Sequence, residues 1–255
     1  MKIKQYAIGA GKPLICVPVT ETGQEAIIEK ANDAVRQGAQ ALEWRIDWFE
    51  KAGQWQQIEQ ILKMLAEICD KVILLCTFRS KAQGGRQEIT EDRYKELLLH
   101  IAQSGLADLL DVEVSELSDA SGVIKGLHDA GQTIIGSQHY FSHTPNVLQM
   151  QQELLGIKEA GADIGKLAVM PKCPMDVLWL LEATAEVRQQ EPDYLIVTMA
   201  MGGLGAISRI SGQTFGSCIT FASLGKASAP GQLPIEDTAL MLAKISDSMG
   251  KSNER

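Results

Sequence analysis

Short apolar runs alternate with amphipathic segments along almost the whole of this chain, and that alternation limits its fold more than any other feature. The strand-like runs are Leu14 to Val19, Ala41 to Asp47, Val72 to Phe78, Leu106 to Val114, Thr133 to Gln138, Asp163 to Met170, Tyr194 to Met199 and Phe215 to Phe221. Helix-like segments separate most of them, among them Gly23 to Gln37, Trp55 to Cys69, Glu91 to Gln103, Val147 to Ala160, Met175 to Gln190 and Ile235 to Asp247. Thr90 ahead of Glu91 and Asp92, and Pro234 ahead of Ile235-Glu236-Asp237, predict helix starts. Eight βα units in 255 residues, without a linker or low-complexity stretch, predict one α/β domain over residues 1–255, a (β/α)8 TIM barrel. A short strand or hairpin ahead of Leu14 is expected to close one end. The alternative is an open doubly wound sheet. Such a sheet usually carries a Gly-rich phosphate loop after an early strand, and Val17-Pro18-Val19-Thr20 is not one.

Charge and composition narrow the partners. A net charge of -8 argues against nucleic acid, which requires a basic face. It leaves room for a small anionic substrate, because a few pocket arginines outweigh a distant acidic surface. No apolar run is long enough to span a bilayer, and Met1-Lys2-Ile3-Lys4-Gln5-Tyr6 lacks a signal-peptide core, so no membrane role is expected. The tail Lys251-Ser252-Asn253-Glu254-Arg255 is polar and expected to fray. Cys16, Cys69, Cys76, Cys173 and Cys218 are odd in number and widely spaced, with no CxxC and no zinc pattern. That usage fits a reducing, cytoplasmic setting with no metal site.

Within the strand pattern, one residue is out of place. Lys166 lies in Asp163-Ile164-Gly165-Lys166-Leu167-Ala168-Val169-Met170-Pro171, an apolar run of the kind buried in a parallel sheet. A lysine there is either functional, as an amine made neutral by burial, or a strand-end lysine with its head in water. Other polar residues gather at the expected C-terminal strand ends, where barrel active sites form. Glu43, Arg45 and Asp47 alternate onto one face; Arg79 follows Thr77-Phe78; His139 follows Ser137-Gln138. The first three, with Arg79, form either a structural ion cluster or part of a site. Asp111 and Glu113 are assigned to barrel-interior support, and Met199 and Met201 to pocket packing. His100, His128 and His143 are assigned to the surface, and Gly84-Gly85 to a mobile loop. A lysine imine is an electron sink that acidifies the neighbouring carbon, and a nearby histidine can then carry the proton.

These residues resemble a known family, the type I 3-dehydroquinate dehydratases. The resemblance runs from about Leu14 to the last helix. Its motifs are Glu43-Trp44-Arg45-Ile46-Asp47, Thr77-Phe78-Arg79-Ser80, Ser137-Gln138-His139, Lys166-Leu167-Ala168-Val169-Met170-Pro171, Gly205-Ala206-Ile207-Ser208-Arg209 and Ser228-Ala229-Pro230-Gly231-Gln232. The resemblance implies a barrel, often dimeric, that converts 3-dehydroquinate to 3-dehydroshikimate by syn elimination without cofactor or metal. It implies Lys166 as the imine lysine and His139 as the general acid/base. Arg209 would bind the substrate carboxylate, while Glu43, Arg45, Arg79, Ser228 and Gln232 would contact hydroxyls or carboxylate. Met201 would line the pocket, and Gln83 and Asp47 would stand behind the contacting residues. The loop from Ser228 to Gln232 would close over substrate.

Two positions depart from the family pattern. Gln83 stands where a glutamate is common, which predicts a lower His139 pKa than in glutamate-bearing relatives. Tyr140 stands where an acidic residue or Asn is usual. Two other readings stay open: an aldolase-type Schiff-base barrel, and a non-catalytic relative that binds dehydroquinate without turnover.

Overall fold

The chain opens with a small antiparallel hairpin, β1 (Lys2–Ile3) and β2 (Tyr6–Ala7). In the computed structural model, which describes residues 1–225 and 227–252, eight parallel strands follow. They are β3 (Leu14–Val19), β4 (Ala41–Arg45), β5 (Ile73–Thr77), β6 (Leu109–Glu113), β7 (Thr133–Tyr140), β8 (Ile164–Val169), β9 (Leu195–Ala200) and β10 (Ile219–Phe221). From β3 to β9 each pairs with the next in sequence, and β10 pairs back with β3. Between β9 and β10 the ring closes through a bridge at Ile196 and Ser217, where Cys218 N–H donates to Ile196 O at 2.8 Å. This is a TIM barrel. Its connecting helices are α1 (Gln24–Arg36), α2 (Trp55–Ile68), α3 (Glu91–Ser104), α4 (Ala120–Asp129), α5 (Val147–Glu159), α6 (Pro174–Gln190), the short α7 (Ala206–Ile210) and α8 (Gly212–Phe215), and α9 (Ile235–Ser252). Lys251 and Ser252, expected in a frayed tail, close α9; Asn253, Glu254 and Arg255 lie outside the described residues.

The barrel's two ends are chemically opposite. Toward the N-terminal end its interior is apolar: Leu14, Cys16, Leu75, Leu109, Ile135, Ile164, Val197 and Ile219 pack together, with Ile3, Tyr6 and Ile8 of the hairpin region added from below. Each such side chain, fully buried, contributes about 1.5–3 kcal/mol. Lys4 fastens the hairpin there. Its Nζ donates to Cys69 O (2.6 Å) and Val72 O (2.8 Å) and pairs with Asp108 (2.7 Å). The C-terminal end carries the polar side chains instead.

Strand ends deviate from the sequence expectation where side chains capture the backbone. The run Ala41 to Asp47 stops pairing at Arg45 and turns into a 3-10 helix, Ile46–Trp48. There Asp47 accepts from the Arg45 guanidinium and from the backbone N–H of Arg79 and Arg86. The last strand is shorter than expected because Phe215 ends α8 instead. By contrast β7 runs two residues further, to Tyr140, held by register pairs His139↔Ala168 and Tyr140↔Val169.

Candidate active site

At the C-terminal mouth, five strands build one buried ionic network. Lys166 on β8 is 3% exposed, with Nζ 3.0 Å from Asp111 Oδ2 and 3.4 Å from Glu43 Oε1. Its ammonium also lies 4.6 Å from the Phe221 ring centroid. The lysine is therefore buried and within ion-pair distance of two carboxylates that lie far from it in the chain. Arg79 donates to Asp111 Oδ1 (2.6 Å), Glu113 Oε1 (2.8 Å) and Ser137 Oγ (3.0 Å). Burial alone would weaken its charge, but Asp111 and Glu113 outweigh burial and raise its pKa. Likewise burial pushes Asp111 up, yet Arg79 and Lys166 win and hold it well below the usual carboxylate range. Glu113 moves the other way: desolvation raises it, and its Oε2 has no hydrogen-bond partner. Asp111 and Glu113 thus occupy the supporting positions expected of them. Arg45 is held bidentately by Asp47, both bonds 2.8 Å.

His139 sits one side-chain step above Lys166 on the neighbouring strand, since Ser137 pairs with Lys166 and His139 with Ala168. Its Nδ1 is 3.1 Å from Gln83 Oε1. Burial, then the charges of Arg79 and Lys166, hold its pKa well below the ordinary histidine value, so the ring is neutral near pH 7. Tyr140 faces outward, donating to Glu153 Oε1 on α5 at 2.5 Å. Gln83 ends a 3-10 turn, Lys81–Gln83, and the two glycines after it turn the chain tightly, Gly84 N–H donating to Lys81 O and Gly85 N–H to Ser80 O. A side chain at Gly85 would strike Arg79 O at 1.8 Å, and one at Gly84 (φ 79°) would strike the Phe141 ring.

The opposite wall is built differently. Ser208 pins α7 to β9, accepting from Ala200 N–H (3.0 Å) and donating to Gly205 O (2.7 Å). Thr220 on β10 donates to Arg209 O at 2.7 Å. The next side chain, Arg209, is 3% exposed and has no carboxylate partner among the described residues. Among the described residues its only bond runs from Nη2 to Pro230 O (3.1 Å), and its Nε has none. Desolvation pushes it down to about 10, still charged at neutral pH. In the following loop Gln232 Oε1 accepts from Ser228 N–H (2.9 Å) and from Ser228 Oγ (3.1 Å). Gly231 (φ 79°) lets that loop rest on Gly202, whose oxygen a Cβ would meet at 2.1 Å.

These walls enclose a cavity of about 410 Å³, within the range of small-molecule sites. Glu43, Arg45, Arg79, His139, Lys166, Met201, Arg209, Ser228 and Gln232 all line it, while Asp47 and Gln83 stand behind. Trp48, Arg86 and Phe141 also line it and were missed from sequence. Arg86 lies 4.9 Å over the Trp48 ring. No periodic pattern marks such loop residues; the only hint was their place after strand ends. Of the histidines assigned to the surface, His128 and His143 are exposed. His100 is half-buried, stacked on Trp55 at 5.3 Å, because α2 and α3 pack there. Among the described residues, no group of three or more His, Cys, Asp or Glu is placed to hold a metal ion. No described helix is long and apolar enough to cross a membrane.

Fold and pocket together define a TIM barrel with a lysine, a neutral histidine and an unpaired arginine converging at its C-terminal mouth. The profile of type I 3-dehydroquinase matches residues 15–248. The 3-dehydroquinate dehydratase of Clostridium botulinum (strain Eklund 17B / Type B) is 36% identical over 250 residues, 98% of each chain. Two crystal structures superpose with a TM-score of 0.93. The 3-dehydroquinate dehydratase of Geobacillus kaustophilus HTA426 is 35% identical, covering 97% of this chain and 96% of its own. The type I enzyme of Clostridium difficile, solved with covalent modified comenic acid, is 36% identical and covers 97% and 98%. The chain belongs to the type I 3-dehydroquinase family.

Proposed function

We propose that this chain dehydrates 3-dehydroquinate to 3-dehydroshikimate through an imine on Lys166, with His139 as proton carrier. The observation that carries the reading is the convergence of three groups on one cavity. Lys166 and His139 occupy adjacent strands, and Arg209 is a buried guanidinium that no carboxylate among the described residues neutralises. A buried cation without a partner is costly, and a ligand carboxylate supplies what it lacks. With that carboxylate on Arg209, the ring of the substrate lies across the pocket toward Lys166. The Lys166 amine adds to the ketone carbon and water leaves, giving an iminium. His139 takes the C2 proton as the C–H electron pair moves into the iminium. It returns the proton to the C1 hydroxyl, which departs as water on the same face. Hydrolysis frees product and lysine; the net change is loss of one water. The Clostridium difficile relative was solved with covalent modified comenic acid, which fits a family member that carries a nucleophile.

Arg45, Glu43, Arg79, Ser228 and Gln232 contact the substrate's hydroxyls or carboxylate on this reading, and Met201 packs against its ring. The Gln232 amide nitrogen is the part left for substrate, since its oxygen serves the loop. We assign the protein to the cytoplasm and to a homodimer. Exposed Met175, Leu178, Trp179, Leu204 and Ile207 are the apolar side chains that pairing would cover, and a monomer mass by light scattering would count against pairing.

The test is mass spectrometry after incubation with 3-dehydroquinate and borohydride, beside Lys166→Ala. The expected result is a substrate adduct on the parent chain, absent from the variant, with 3-dehydroshikimate formed. Carbon–carbon cleavage products would move the chain to the aldolase-type barrels. Binding without adduct or turnover would make it a non-catalytic relative.

A further inference from the structure

Gln83 is 2% exposed, so both ends of its amide must find partners inside the protein. Its Nε2 lies 2.9 Å from Ser115 Oγ and 3.3 Å from Glu116 Oε1, while its Oε1 lies 3.1 Å from His139 Nδ1. A carboxylate only accepts hydrogen bonds, so the amide end facing Glu116 is the NH2. Turning the amide over would set two oxygens against each other there and leave the buried NH2 facing the imidazole. With the amide fixed by Glu116, its oxygen faces His139 and Nδ1 must carry the proton. In a neutral imidazole the other nitrogen, Nε2, then holds the lone pair.

We propose that Glu116, on the 3-10 turn Val114–Glu116 after β6, is a positioning residue: through the Gln83 amide it sets the His139 tautomer that leaves Nε2 as the base toward substrate. This rests on the reading of His139 as the proton carrier. Gln83 is the only hydrogen-bond partner of the ring among the described residues, so the one direct contact that distinguishes its nitrogens is this one. The charged groups that bear on the ring, Arg79, Lys166, Asp111 and Arg45, act on it through space, with no hydrogen bond to either nitrogen among the described residues. The relay also answers the loss of a carboxylate at position 83. Glu116 polarises the amide from behind, so its oxygen is a better acceptor for Nδ1–H than that of an isolated amide.

The experiment pairs long-range ¹H–¹⁵N NMR of His139 with steady-state kinetics. The parent should show the Nδ1–H tautomer. In Glu116→Lys the new ammonium only donates, so the amide turns over and the ring should switch to Nε2–H. There kcat should fall at least about 10-fold, with KM moving less than about 3-fold. In Gln83→Glu/Glu116→Lys the new carboxylate accepts from Nδ1–H and pairs with the new ammonium, so kcat should return to within about 3-fold of the parent. A parent ring in the Nε2–H form overturns the proposal whatever the activity. So does a Glu116→Lys variant with tautomer and kcat unchanged, or a double variant no better than Glu116→Lys. A parent without dehydratase activity that still shows Nδ1–H and its inversion in Glu116→Lys supports the relay and removes the assigned reaction instead.

Discussion

The two walls of the pocket solve the same problem, a buried cation, in opposite ways. On the side of β4 to β8, Arg79 and Lys166 share Asp111, Glu43 and Glu113, and Ser137 fills the remaining geometry. On the side of β9 and β10, Arg209 is as buried as Arg79 but, among the described residues, meets only one backbone carbonyl. The first wall pairs its cations with protein carboxylates. The second is left incomplete, and that incompleteness points to where an anion belongs. Charge at the mouth is therefore not one property: part of it holds the barrel together, and part of it waits for substrate.

The sharpest way to break this contrast is to remove a partner from each side. Asp111→Ala strands Arg79 and Lys166 in an interior where Asp111 is fully buried, and should cost about 3–5 kcal/mol in urea unfolding. Arg209→Met should leave stability unchanged or raise it by about 1 kcal/mol, since an unpaired charge is exchanged for an apolar chain of similar length. It should nevertheless lower kcat/KM for 3-dehydroquinate at least about 100-fold through the lost carboxylate contact. If Arg209→Met unfolded as readily as Asp111→Ala, Arg209 would be structural and the contrast between the walls would collapse.

How much of this was readable beforehand follows the same division. The barrel was readable because each βα unit repeats a local pattern, apolar run then amphipathic segment, and eight repeats leave few alternatives. Lys166 was readable because a cation in an apolar strand violates its surroundings. Whether it was paired was not, because Glu43 and Asp111 lie 123 and 55 residues away in the chain. The end of β4 was misplaced because Asp47 looks like a strand residue until Arg79 and Arg86 arrive to bind it. Glu116 and Arg86 carried no more signal than their place after strand ends, since their partners are set by how loops cross the barrel mouth.

A smaller effect separates the ring of His139 from both walls. Burial and the positive charges of Arg79 and Lys166 hold its folded pKa below the unfolded value of about 6.5. The unfolded chain therefore takes the proton first. Stability from this group is complete above about pH 6.5 and is lost as pH falls toward the folded value, at up to about 1.4 kcal/mol per pH unit. Asp111, with its depressed pKa, has the same sign but acts below about pH 4. Glu113, raised by burial, opposes it by gaining stability as pH falls. The His139 contribution is thus isolated as the difference between parent and His139→Gln in urea unfolding from pH 7 to pH 5, where the parent should lose more. Gln83→Glu should shrink that difference, because a carboxylate at Nδ1 favours the imidazolium and raises the folded pKa. For the same reason the acid limb of its kcat/KM profile should move to higher pH, by about one unit, Glu116 opposing part of the new charge. An unmoved limb would mean that the amide at position 83 already serves His139 as a carboxylate would, and that the charge of Glu116 reaches the ring through it.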